Sequence, residues 1–458
     1  MSGAGTLTLA TKLPSAGVIA GALLAAAVVI GALSLLMYRR GDAFPLLAIF
    51  ALPFRLPISV DGRTVNLLIP LYLVVAAGTL THLLPRLLRS RDAETERRSP
   101  MTLEWLLLGA VVLYALQGIY STDHAKAAEN IAFFYLPFGL LFMLLRDVRW
   151  TRELLLACLG VAVALAVVFA GVGFVEYYRK TLFLNPKVVA ANQYGNYFRV
   201  NSLFFDPSIY GRFLAMVMIA VTTVVLWSGR RREVLLGAGV LAWLLAGLVT
   251  SFSQSSIAAL LVGLAVLAAY RWDMRATVYV TGALLAIAAV VVLVAPPSLH
   301  FGLSGSGGST SNATSGRTKL VSGGLELFGE RPLYGYGSGS FETEYRRHGN
   351  ATAANATSAS HTIPVTVAAE QGILGLALYV ALLLAAFAVL FTGAGRSPPR
   401  PKPGDARLWP ASPFRLAIAA CFAALVLHTW TYADFLEDPI TWTLLGIGVA
   451  LARGEGEG

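Results

Sequence analysis

His361, Arg199, Arg212, Arg317 and Lys319 stand out in a chain that otherwise carries few charges. A neutral imidazole takes a proton from a hydroxyl near pH 7. Planar guanidinium forks hold the oxygens of a phosphate or diphosphate. Together these groups suit transfer of a group from an anionic leaving group to a hydroxyl, with the cations stabilising the charge that departs. Each also has a plainer reading: a satisfied boundary histidine, or a cation that snorkels to a membrane surface or braces a loop. Cys158 and Cys421 lie in apolar runs and read as packing residues.

The elements that must position these residues are membrane spans. Of 458 residues, 56% are hydrophobic and 13% charged, against about 25% charged in soluble domains. The fold class expected is an all-α polytopic membrane protein with about 12–13 transmembrane helices, counting runs of roughly 20 apolar residues. The runs fall near 16–37, 43–60, 67–84, 102–120, 128–145, 152–175, 208–228, 234–250, 255–270, 276–295, 363–392, 413–432 and 439–452. The second is short enough to be a re-entrant hairpin. "SAGVIAGALLAAAVVIGALSLLMYRR" (15–40) is too long for a signal-peptide core and is kept as a span.

Basic connectors such as "PRLLRSRDAETERR" (85–98), "RDVRWTR" (146–152) and "GRRRE" (229–233) all fall on one side if the spans alternate. The positive-inside rule makes that side the cytoplasm, with the C-terminus inside. The net charge of +10 belongs to these connectors. No basic stretch is interleaved with aromatics, so nucleic acid is not expected as a partner.

Two long connectors then lie outside, near 176–207 and 296–360, and His361 ends the second. The organisation expected is 1–295 for the N-terminal and central spans, 296–360 for a large extracytoplasmic loop, and 361–458 for the last spans. Within the loop, "RTKLVSGGLELFGERPLYGYGSGSFETEYRR" (317–347) predicts a helix followed by a Gly/Tyr turn. Its three Asn-Ala-Thr sequons follow from composition. On an uninterrupted helix, Gly372 and Gly375 return to within about 20° and 40° of the direction of His361, a stripe that lets a neighbouring helix approach. Ser360 suits a helix cap, Pro364 suits the first turn, and Glu370 falls on the opposite face.

A multi-span chain whose late outer loop ends in His-x-(nine)-Gly-x-x-Gly resembles the O-antigen ligase and polymerase superfamily. Here the motif reads His361, Thr362, "IPVTVAAEQ", Gly372, "IL", Gly375. Thr362 stands where ligases have Asn, Ser or Gln. "SGRTKLVSGGLELFGERPLYGYGSGSF" is similar to the family's loop block, which carries its phosphate-binding arginine onto Arg317. "RVNSLFFDPSIYGRFLAM" and "YADFLEDPITWTLLGI" resemble further blocks, and the likeness covers about residues 190–450. One departure lies in "TSFSQSS", where Gln254 replaces a functional arginine, so that Arg199 or Arg212 supplies the charge or the donor binds differently.

The resemblance implies an inverting, metal-independent glycosyltransferase. It moves a glycan from an undecaprenyl-diphosphate donor to an acceptor hydroxyl, on lipid A core or similar, at the outer face of the bacterial inner membrane. His361 is the expected base, and Arg317, Arg199, Arg212 and Lys319 the expected diphosphate ligands. Gln254, Asp434 and Glu437 would orient donor or acceptor; the acids of "DFLEDP" also suit a helix end. No cofactor or metal is expected, and the partners are lipid-linked donor, glycan or glycolipid acceptor and membrane lipid. An O-antigen or exopolysaccharide polymerase is the nearest alternative, followed by a protein O-glycosylase. A transporter or flippase is disfavoured because midspan charges are scarce.

Overall fold

Apolar runs in lipid become helices because only a helix bonds its own backbone groups there. The computed structural model describes residues 16–60, 63–89, 101–184, 198–272, 311–349, 360, 362–392 and 412–454. Its helices are α1 (Ala16–Arg39), α2 (Ala43–Ala51), α3 (Ile69–Gly78), α4 (Leu84–Arg89), α5 (Thr102–Gly118), α6 (His124–Asn130), α7 (Leu136–Arg146), α8 (Arg152–Arg179), α9 (Pro207–Trp227), α10 (Arg231–Thr250), α11 (Gln254–Arg271), α12 (Ser311–Glu330), α13 (Phe341–Arg347), α14 (Ile363–Phe391), α15 (Ser412–Thr431) and α16 (Pro439–Gly454). Two π-helical turns, Thr79–Leu83 and Ile131–Tyr135, join α3 to α4 and α6 to α7.

Among the described residues, eight helical stretches are long and apolar enough to cross a membrane. Ile69–Leu83, Thr102–Gly118 and Pro439–Arg453 are shorter apolar helices. The chain is a multi-pass α-helical membrane protein. The span expected at 276–295 lies outside the described residues. The run at 43–60 departs from a continuous span: the nine residues of α2 are followed by an antiparallel hairpin of β1 (Leu56–Val60) and β2 (Arg63–Leu67). The sequence between the strands is Asp-Gly, the pair that two-residue hairpins favour.

Packing follows the distribution of apolar side chains. In α9 they occupy every face, so the helix is buried at the centre, against α8, α10, α11 and α15. In α1, by contrast, Val18, Leu23, Leu24 and Val28 are exposed, a surface suited to lipid. One end of the bundle is tied by Glu104 at the start of α5. It accepts from Arg146 Nη1 (3.2 Å) at the end of α7 and from Arg453 Nη2 (2.9 Å) at the end of α16. The opposite end of α5 leads into residues 120–123, which meet the 334–338 turn, and the candidate site lies there.

Candidate active site

The turn between α12 and α13 is built into a break in α14. Gly372 has φ +64° and ψ −161°, a conformation essentially reserved for glycine. A Cβ there would stand 2.5 Å from the carbonyl carbon of Leu333. The break interrupts the helical ladder and frees backbone groups that lipid cannot satisfy. The loop satisfies them. Tyr336 N–H donates to Ala369 O (3.2 Å), Gly337 N–H to Glu370 O (2.8 Å), and Ile373 N–H to Pro332 O (2.8 Å). Gln117 Nε2 at the end of α5 donates to Gln371 O (3.2 Å).

The stripe joining position 361 to Gly372 and Gly375 therefore does not exist as expected, because it requires an unbroken helix. Glu370 has a different task from the one its face implied. Its carboxylate accepts from Gly339 N–H (2.9 Å) and Phe341 N–H (3.0 Å), which holds the turn at the start of α13. Residues 120–123, between α5 and α6, brace the same turn. Tyr120 Oη donates to Tyr334 O (2.7 Å), Ser121 Oγ to Ser338 O (2.8 Å), and Thr122 N–H to Tyr336 O (3.3 Å).

Beside this break opens a cavity whose lining includes Tyr114, Tyr135, Thr366, Glu370 and Glu437, with Val367, Leu378 and Leu382 below them. Tyr114 and Tyr135 are stacked, ring centroids 4.3 Å apart, and Tyr135 closes the second π-helical turn. The buried Asn130 amide donates to Tyr114 Oη (2.7 Å) and to Glu437 Oε1 (2.8 Å). Burial raises the Glu437 carboxyl, and the neighbouring Asp434 and Glu370 carboxyls raise it further against the pull of Lys126, to about 8. Near neutral pH this acid keeps its proton.

A second polar cluster lies between α9, α11 and α15. Arg212 is fully buried, and its Nη2 is 2.8 Å from Asp438 Oδ2. The two are in ion-pair contact without hydrogen-bond alignment, since no guanidinium nitrogen of Arg212 has a hydrogen-bonding partner among the described residues. Asp438 Oδ1 also accepts from Ile440 N–H (3.0 Å), capping α16. His428 Nε2 stands 3.3 Å from Ser255 Oγ and 3.2 Å from Ser256 Oγ. Arg199 Nε donates to Ser251 O (3.2 Å), and Val200 N–H to Thr250 O (3.2 Å). The turns carrying these groups are strained at Phe252 (φ +48°) and Asp434 (φ +65°).

His361, the expected base, lies outside the described residues. Its neighbour Ser360 is buried, with Oγ 2.9 Å from Thr366 Oγ1 and donating to Thr362 O (2.7 Å). The N-cap position is Thr362 rather than Ser360. Arg317 lies on α12, and its side chain is outside the described residues. Lys319 on that helix is exposed. Gly324, seven residues beyond Arg317, packs against the start of α14. A Cβ on Gly324 would be 2.5 Å from Val365 Cγ1 and 3.6 Å from Ser360 Cβ. Gln254 is exposed at the start of α11.

Arg199 thus reaches the 251–256 turn through Ser251, whereas Arg212 meets Asp438. Arg212 departs from the expectation of an outward-facing ligand, because it is buried against Asp438. Asn130, Tyr114, Gln117, His428 and the helix-breaking role of Gly372 were not anticipated. A buried Asn at the end of a helix leading into "IAFFY" was the available signal for the first of them.

Among the described residues, no group of three or more His, Cys, Asp or Glu side chains is arranged to hold a metal ion. No curated protein matches the chain. Residues 239–380 match the O-Antigen ligase family, a stretch that runs from α10 through the loop helices into the first half of α14. This stretch contains the 251–256 turn, the loop block and the broken helix, and over it the chain is similar to the O-antigen ligase family.

Proposed function

We propose that the chain transfers a glycan from an undecaprenyl-diphosphate donor to an acceptor hydroxyl, lipid A core or a similar glycolipid, at the outer face of the bacterial inner membrane. His361 takes the acceptor proton. The freed oxygen attacks the anomeric carbon opposite the diphosphate, the glycosidic C–O bond breaks with its electron pair on the leaving oxygen, and configuration inverts. Arg317, Arg199 and Lys319 stabilise the departing diphosphate without a divalent ion. Arg212 acts one step back, through Asp438.

The observation that carries this reading is the packing of α12 on the start of α14 at Gly324 and Ser360. It joins the helix bearing Arg317 to the chain position next to His361. On a regular helix, position 317 returns to within about 20° of the Gly324 direction, about 10 Å along the axis.

The test is transfer by the purified chain in nanodiscs, with a polyprenyl-diphosphate-linked glycan and a glycolipid acceptor, in EDTA. His361→Ala is expected to reduce turnover by about 10²–10⁴-fold, the usual weight of a general base. Arg317→Lys is also expected to impair transfer, since a point charge replaces a bidentate fork. An alanine variant within a few-fold of wild type, or activity that requires added magnesium, overturns the mechanism.

A further inference from the structure

The cavity beside the break in α14 has acids and, among the described residues, no cation in its lining, which does not suit a diphosphate. Its lining carboxyls are those of Glu437 and Glu370, with Asp434 close enough to influence Glu437. Like charges brought together at a desolvated site are strongly unfavourable. Its polar chemistry suits a polyol instead. Tyr114 Oη accepts from Asn130, so its own hydrogen is left to donate. Glu437 is held by Asn130 through Oε1 alone among the hydrogen bonds described, while both Glu370 oxygens are already committed to loop N–H groups. Asn130 itself is 2% exposed and holds these two lining residues without lining the cavity. The stacked tyrosines add an aromatic wall, and the apolar residues below suit the less polar face of a sugar ring.

We propose that this cavity is a saccharide subsite of the transferase read above, in which Glu437 and Tyr114, both positioned by Asn130, bind hydroxyls of a sugar of the acceptor, and in which Glu437 turns away anionic sugars once it is ionised. Glu437 faces Asp434 and Glu370 on the acidic side and Lys126 and Glu129 on the α6 side. While protonated it donates to a ring hydroxyl; once ionised it accepts, and repels a uronate or a phosphorylated sugar.

The probes are methyl N-acetylglucosaminide, which is neutral, and methyl glucuronide, which is anionic. Each is titrated onto the full chain in nanodiscs and followed by saturation-transfer difference NMR. At about pH 9, where the carboxyl carries charge, the glucuronide is expected to bind at least about tenfold more weakly than the neutral glycoside. Glu437→Gln is expected to bring the two within about threefold, and Tyr114→Phe to weaken both while the ring stack remains. A neutral glycoside that fails to saturate the wild-type protein overturns the subsite. A glucuronide still excluded by folded Glu437→Gln protein overturns the role of Glu437. Undecaprenyl diphosphate binding, read by native mass spectrometry on the same preparation, separates the two readings. Lipid bound without saccharide removes the subsite alone, whereas saccharide bound without lipid removes the diphosphate-linked donor and leaves the subsite standing.

Discussion

The acidic cavity beside α14 and the arginine-centred cluster between α9, α11 and α15 flank the same turn, residues 432–438, yet they accommodate buried charge in opposite ways. In the cluster, Asp438 is paired with the Arg212 guanidinium and caps α16. In the cavity, Glu437 meets an amide and two further acids, and it keeps a proton instead. Two adjacent carboxyls on one short turn thus meet opposite surroundings, a cation for Asp438 and further acids for Glu437. Asp438 fixes the turn, and Glu437 lines the cavity.

The comparison predicts its own strongest perturbation. Asp438→Ala leaves Arg212 buried without its counter-charge and should cost about 3–5 kcal/mol of stability. Replacing both partners with apolar residues, Arg212→Met with Asp438→Leu, should recover most of that loss. Thermal unfolding in nanodiscs reads both. A single variant as stable as wild type would mean that the pair does not hold the turn.

On the cavity side, Gly372→Ala places a Cβ against the Leu333 backbone in a conformation that only glycine adopts readily. We expect a loss of about 3 kcal/mol or more. Proteolysis of the loop, measured alongside, should accelerate in step. An unchanged melting temperature would separate the loop from the helix break. Glu370→Gln is milder. It keeps one oxygen acceptor and leaves one of the Gly339 and Phe341 N–H groups unmatched, at about 1–3 kcal/mol.

The smallest effect concerns Glu437 itself. Its carboxyl titrates at about 8 in the folded chain against the ordinary 4.5. The folded state therefore holds the proton over a range in which the unfolded chain releases it. The stability gained in this way is fully present below about 4.5 and is lost as pH rises through about 8. Melting temperature should fall across that window, with a shallower slope in Glu437→Gln. A slope identical to wild type would assign the titration to another acid.

Much of the bundle was legible because span length and hydropathy are properties of consecutive residues. The runs at 152–175, 208–228, 363–392 and 413–432 all became helices close to their expected bounds. The loop segment 317–347 also showed its helix and Gly/Tyr turn in advance. The interior of α14 did not, since periodicity presumes an unbroken helix and Gly372 ends that regularity. The roles of Gln117, Ser121 and Asn130 were hidden for another reason. Gln117 bonds a carbonyl 254 residues away, and no local pattern records a partner at such a distance. Arg212 was legible as a cation near the boundary, whereas its burial against Asp438 depends on how three helices meet.

The hydrogen bonds across Gly372 also bear on how the chain can be recombined. Each half of that junction is incomplete alone: the helix end lacks donors for Ala369, Glu370 and Gln371, and the loop lacks the Glu370 acceptor that orders its turn. A chimaera that exchanges the outer loop with a relative's while leaving α14 behind would split this unit at its seam. The portable module is 332–341 together with 366–373 and residues 117–123 that brace them, three segments that would have to be moved together.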